Sequence, residues 1–237
     1  MTDSAVAAPR AWEVVLQRIE LDLLTGRLGP GDHLPPERAL AATLGVGRSS
    51  VREAVRVLEV LGLIRTNVGS GPSAGAIIVA LPGGGMSALM RLQVAAQGFP
   101  VADVVKTRLI LEGSVVTELA SRVADLAGST RLLDAMDSPD LTEAEFLALD
   151  AAFHLSLAEA GGNQVVTATM AGLRSAIEGY ARAGAASLPS WPATSARLRT
   201  EHRAVLGAIT RGDADAARLA MHAHISGYYA ETHLRDH

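Results

Sequence analysis

Apolar residues recur every three or four positions along most of the chain, and clusters of Gly and Pro interrupt the rhythm. From Trp12 onward, Val15, Leu16, Ile19, Leu23 and Leu24 fall on one stripe. That spacing predicts a helix ending at Gly26 and the Gly29-Pro30-Gly31 turn. Pro35-Pro36-Glu37 reads as the start of a short second helix, with Leu40, Ala41 and Leu44 on its buried side and Gly45 at its end. Ser50-Val51-Arg52-Glu53 matches a capping box and predicts a third helix, whose stripe is Val51, Ala54, Val55, Leu58 and Leu61 before Gly62. The pattern then changes, and residues 63–68 and 76–79 read as strands joined by the Gly/Ser/Pro-rich segment 69–75. Leu81-Pro82-Gly83-Gly84-Gly85 has the composition of a linker. It divides a domain at 1–82 from a second at 86–237, with 83–85 as the connection. Beyond it only helical periods occur, over 86–97, 101–126, 129–136, 142–160, 163–185, 193–211 and 213–234. The breaks fall at Gly98-Phe99-Pro100, Ser138-Pro139, Gly161-Gly162 and Gly212. The expected fold is mainly α: a three-helix unit with a hairpin, followed by an all-α bundle.

Composition narrows the class. Of 237 residues, 49 % are hydrophobic and 19 % charged, which supports packed cores and excludes a disordered chain. The absence of cysteine excludes a disulfide framework, a thiolate zinc site and a cysteine nucleophile, so any metal must use nitrogen and oxygen ligands. The opening MTDSAVAAPR has no basic segment leading into an apolar run, and no stretch of about 18 apolar residues follows. A cytoplasmic protein without a membrane partner is expected. The net charge of −4 is unevenly spread: residues 1–82 hold eight Arg against eight acids, and 83–237 hold thirteen basic residues against seventeen acids. Within 34–72 the balance reverses to five Arg against three Glu, a local excess compatible with a polyanion.

Two short helices around Leu44-Gly45-Val46-Gly47, followed by a hairpin, are the element order of a winged helix-turn-helix, whose second helix enters the major groove. Arg48, Ser49, Ser50 and Arg52 at the start of that helix supply guanidinium forks, hydroxyls and free N–H groups for phosphates and base edges. The run GDHLPPERALAATLGVGRSSVREAVRVLEVLGLI resembles the GntR-type winged helix over residues 12–80. The resemblance implies contacts to double-stranded operator DNA from Arg38, Arg48, Ser49, Ser50 and Arg52, and from Gly69 and Ser70 in the wing. Two departures stand out. Gly47 occupies a position where the family usually has Ser or Thr, and the 69–75 tip is longer than the usual wing turn.

In the second domain, Asp150 and His154 are four apart on a helix that a Thr142/Glu145 capping box starts, so both project from one face. His202 follows on a later helix, and His222 and His224 on the last. One carboxylate with neutral imidazoles suits a borderline divalent ion such as Zn, Ni or Mn. Three segments are similar to the FCD ligand-binding domain of FadR-like GntR regulators: Lys106 to Glu112, Asp150 to His154 with Asn163, and Glu201 to Val205 with Ala220 to His224. The resemblance implies metal ligands at Asp150, His154, His202 and His224. It also implies an effector-anchoring guanidinium at Arg108, able to hold a carboxylate bidentately. Read without it, Arg108 would pair with Glu112 at i,i+4 on the surface. His222 lies about 200° around the helix from His224 and should face elsewhere, and Asn163 reads as a helix-junction cap.

These readings imply a homodimeric transcriptional regulator whose operator affinity responds to a small organic acid. Two other classes compete. A metal-dependent hydrolase using the Asp/His cluster is opposed by the winged helix and by the lack of an H-E-x-x-H or G-x-S-x-G motif. An architectural DNA binder leaves the cluster of Asp and His unexplained.

Overall fold

Val15 and Ile19 form the buried edge of α1 (Ala11–Leu24) in the computed structural model, which describes residues 9–67, 75–79, 84–96 and 99–232. They pack on Leu40 and Ala41 of α2 (Glu37–Leu44) and on Val51, Ala54 and Leu58 of α3 (Arg48–Val60). Ile64 and Ile78 close this core from β1 (Ile64–Asn67) and β2 (Gly75–Ile78), an antiparallel pair in which these two residues face each other. The α2–α3 turn depends on Gly45, whose φ of 65° is a left-handed conformation that only glycine adopts freely. Leu24 and Leu61, expected on buried stripes, are instead 79 % and 41 % exposed, Leu24 as the last residue of α1 and Leu61 as the cap that follows α3.

The third helix begins earlier than the sequence predicts. Gly47 is its N-cap, with its carbonyl accepting from the Ser50 and Val51 amides, so Ser50 lies inside the first turn and not ahead of it. Two of the three expected linker glycines are helical. Gly84 and Gly85 open α4 (Gly84–Ala95), while Gly83 lies outside the described residues. A Cβ on Gly85 would come within 2.2 Å of the Leu61 carbonyl oxygen, so close approach, not flexibility, requires glycine there.

The chain separates into two compact units, Met1–Gly85 and Met86–His237. The second continues with α5 (Val101–Ala120), α6 (Ala127–Met136), α7 (Glu143–Gly161), α8 (Gln164–Ala185), α9 (Trp191–Thr210) and α10 (Ala214–Glu231). Helix α5 ends six residues short of the expected Leu126. The chain leaves the helix there so that the Arg122 guanidinium can donate to the Ala160 and Gly161 carbonyls, which α7 leaves unpaired at its end. Thr142 and Glu145 form the reciprocal capping box that starts α7, and Gly162 stops it at a φ of 76°. Helix α10 packs against both α5 and α9 around Leu119, Phe153, Leu198, Val205, Met221 and Ile225. This arrangement brings the inner faces of α5, α7, α9 and α10 to one central region. Among the described residues, no helix is long and apolar enough to cross a membrane.

Candidate functional site

Asp150 and His154 sit one turn apart on the inner face of α7, His202 at the middle of α9 and His224 at the middle of α10. Each is buried, His202 completely. One donor atom from each of the four lies within 4.8 Å of the others. The His202 Nε2 is 3.0 Å from Asp150 Oδ1, and the His224 Nε2 is 3.1 Å from the His154 Nε2 and 3.2 Å from the His202 Nε2. The His154 Nε2 and Asp150 Oδ2 stand 3.9 Å apart. Phe153 packs on the His202 ring at a centroid distance of 4.9 Å and fixes its orientation.

The outer ring nitrogens have their own partners. The His154 Nδ1 is in hydrogen-bond contact with Glu112 Oε2, and the His224 Nδ1 lies 2.9 Å from Glu201 Oε2. Each carboxylate favours Nδ1–H as the donor, which leaves a lone pair on the inner Nε2. Facing lone pairs at 3.1 Å repel, whereas a shared cation turns that contact into ligation. Three imidazole nitrogens and one carboxylate oxygen, all buried and within reach of one ion at about 2.0–2.2 Å, therefore fit a borderline divalent metal.

Electrostatics support the same protonation pattern. Burial pushes the His224 imidazole down to about 4, with His202 and His154 adding to the effect against Glu201 and Asp150. Burial also lowers His202 despite its contact with Asp150. For Asp150, burial acts upward, but the three surrounding imidazoles outweigh it and hold the carboxyl well below the usual carboxylate range. Burial likewise acts upward on Glu112, where Arg108 and His154 prevail and hold it at about 2. At neutral pH the donor set thus includes the neutral imidazoles of His202 and His224 and the Asp150 carboxylate.

Arg108 lies behind this cluster. Its Nε donates to Glu112 Oε1 at 2.6 Å, so the i,i+4 pair forms, but in the core and not on the surface, with both side chains about 5 % exposed or less. Arg108 also lines a cavity of about 20 Å³ with Leu147, Asp150, His224, Tyr228 and Tyr229. That is room for one water-sized group beside two of the candidate ligands. Glu201 is held in turn by Arg197 at 2.6 Å, and Arg197 also pairs with Glu231. In the sequence Glu112 stands out only as the i,i+4 neighbour of Arg108, Glu201 as the neighbour of His202 and a candidate base in the hydrolase alternative, and Tyr229 carries no signal. His222 is exposed and remote from the cluster, and the Asn163 side chain accepts from the Val165 and Val166 amides as the N-cap of α8.

In the N-terminal unit, Arg38 on α2 and Arg48, Ser49 and Arg52 on α3 are exposed, with Ser50 half-buried beside them. Arg52 pairs loosely with Glu37 at 3.3 Å. Gly47 provides no side-chain cap, so the first amides of α3 stay available to an anion. Arg56 lies outside the contact set read from the sequence, yet its i,i+4 spacing continues the exposed line of Arg48 and Arg52. Gly69 and Ser70 fall outside the described residues.

The model of the family "Bacterial regulatory proteins, gntR family" matches residues 12–72, and that of the FCD domain matches residues 103–227. The HTH-type transcriptional repressor NanR of Citrobacter rodentium is 32 % identical over 239 residues, covering 96 % of this chain and 87 % of its own. A protein of Escherichia coli strain K12 named for regulation of the L-lactate dehydrogenase operon is 29 % identical over 219 residues, with 92 % and 84 % covered. Among solved structures, Streptococcus agalactiae GntR matches with a TM-score of 0.63 at 25 % identity, over 96 % of this chain and all of that one.

Proposed function

The chain belongs to the GntR family of bacterial regulatory proteins and carries an FCD domain, and on that premise we propose that a small organic acid, bound beside a divalent metal, controls its affinity for operator DNA. It is a DNA-binding transcriptional regulator; its relatives are regulators and not hydrolases, so the hydrolase alternative is set aside. The observation that carries the proposal is the buried cluster of Asp150, His154, His202 and His224 with Arg108 on the wall of the adjoining cavity. Zn, Ni and Mn all suit the donor set. When bound, such an ion supplies positive charge and open coordination positions for an oxygen ligand. Around it, Glu112 and Glu201 orient His154 and His224, and Arg108 faces the cavity with a guanidinium that can take a carboxylate. The relative named for the L-lactate dehydrogenase operon makes L-lactate the first acid to try. The setting is the cytoplasm, where no disulfide is needed.

On the DNA side, Arg38, Arg48, Ser49, Ser50 and Arg52 form the contact set, extended by Gly69 and Ser70 of the wing. Arg48→Ala is expected to weaken specific binding by about 1–3 kcal/mol, the worth of a good bidentate contact to a base. Titration of a selected double-stranded site in a gel-shift assay at fixed salt checks this, and unchanged affinity removes Arg48 from the recognition surface. The protein acts as a homodimer on a palindromic site, because one winged helix reads only a half-site and two-fold proteins match two-fold operators. Light scattering should give a dimer both free and on DNA; a monomer in both states refutes this.

A further inference from the structure

We propose that Arg56 grips a backbone phosphate of the operator beside the groove that the start of α3 enters, and so adds to DNA affinity without reading sequence. The inference adds a residue of different chemistry to the contact set above and rests on the docking of α3 in the major groove.

The buried stripe of α3 is Val51, Ala54 and Leu58. At about 3.6 residues per turn, Arg56 points roughly 170° away from the mean direction of that stripe, whereas Arg48 and Arg52 point roughly 90° and 130° from it. Of the arginines on α3, Arg56 therefore projects most squarely outward, on the face it shares with the exposed Ser49. Its charge is also uncommitted. Among the described residues Arg56 makes no hydrogen bond or ion pair, while Arg52 is drawn toward Glu37 at 3.3 Å. The acid on the next turn, Glu59, already accepts from the Thr66 amide at 3.0 Å and from the Thr66 hydroxyl, which ties α3 to β1. A solvated arginine is ordinary on most surfaces. This one stands at the centre of the outward face of the helix that carries the contact set, where the partner is a polyanion.

Position along the axis decides between a phosphate and a base. Arg56 comes eight residues after Arg48, which is about 12 Å further along the helix at 1.5 Å per residue. A recognition helix places its N-terminal residues against the base edges. The major groove is only about 12 Å wide and 8.5 Å deep, so a side chain two turns up the axis has left the floor and faces the sugar-phosphate wall. A guanidinium there meets phosphate oxygens, which it can hold with two parallel N–H donors. Glu59 and Val60 complete the helix, so Arg56 is its last cation.

The test is fluorescence anisotropy with the full-length protein on two labelled duplexes, a site selected from random sequence by the wild type and a scrambled duplex of the same composition. Titrations run from about 50 to 200 mM salt. Arg56→Gln is expected to weaken binding to both duplexes by a similar factor, on the order of 5-fold per protomer at about 0.15 M salt. It should also flatten the slope of log K against log salt by about 0.9 per protomer, the share of one phosphate contact. Gln has nearly the helix propensity of Arg, so the Tm should match wild type. Arg56→Lys keeps the charge and should keep the wild-type slope. Unchanged affinity and slope in Arg56→Gln overturn the inference. Weakening confined to the selected duplex, with the slope unchanged, makes Arg56 a base reader and overturns the phosphate assignment. A slope as flat in Arg56→Lys as in Arg56→Gln, or a lower Tm in both, assigns Arg56 a structural role and also overturns it. Arg48→Ala, titrated alongside, separates the two readings: loss with that variant alone overturns the Arg56 grip and leaves the docking of α3 intact, whereas no loss with either overturns both.

Discussion

Alanine in place of His154 or His224 is expected to lower metal affinity at least 10- to 100-fold, since even the loss of an outer partner of a metal-binding histidine costs that much. The effector response should disappear with the metal. His154 and His224 both reach the centre of the cluster, and each is anchored from behind, by Glu112 and by Glu201. Operator binding without effector should persist, because α1, α2, α3 and the hairpin have a hydrophobic core of their own. Metal content after dialysis, acid binding by calorimetry and gel-shift titration of both variants check the three parts. Stoichiometric metal in both variants would falsify the ligand assignment. Loss of metal with unchanged acid binding would show that the ion is structural and lies outside the effector site.

Glu112→Ala should destabilise the C-terminal unit by about 3–5 kcal/mol, the usual result of removing one partner from a buried ion pair. Arg108 is buried and fully charged, and the nearby Glu112 is its only ion-pair partner among the described residues. Truncation strands that cation and also takes the outer partner from His154. Replacing both residues, Arg108→Met with Glu112→Leu, should restore most of the loss, because a well-packed apolar pair avoids desolvating either charge. Urea unfolding of wild type, single and double variants measures both effects. A single variant within about 0.5 kcal/mol of wild type would mean that the pair is hydrated and not part of the core.

Local chemistry made most of the elements legible. The Thr142/Glu145 box starts α7, Gly162 ends it, Asn163 caps α8, and Gly45 turns α2 into α3, because caps and left-handed glycines act within four residues of themselves. The same locality explains the errors. The Ser50/Glu53 pairing looks like a cap in sequence, but the backbone at Gly47 already begins α3. The apolar rhythm runs past Ala120, yet α5 stops where Arg122 meets the end of α7, thirty-eight residues further along.

The candidate site divides in the same way. Residue types and spacing, with the family resemblance, named Asp150, His154, His202, His224 and Arg108, and helical period placed His222 on another face. Neither periodicity nor spacing could show that Arg108 and Glu112 pair inside the bundle, or that Glu201 backs His224. A helix repeats every 3.6 residues, so sequence reports which side chains share a face. What that face meets depends on how α5, α7, α9 and α10 cross, and the crossing is settled by side-chain packing between segments far apart in the chain. Burial, charge pairing and the small cavity are properties of that packing.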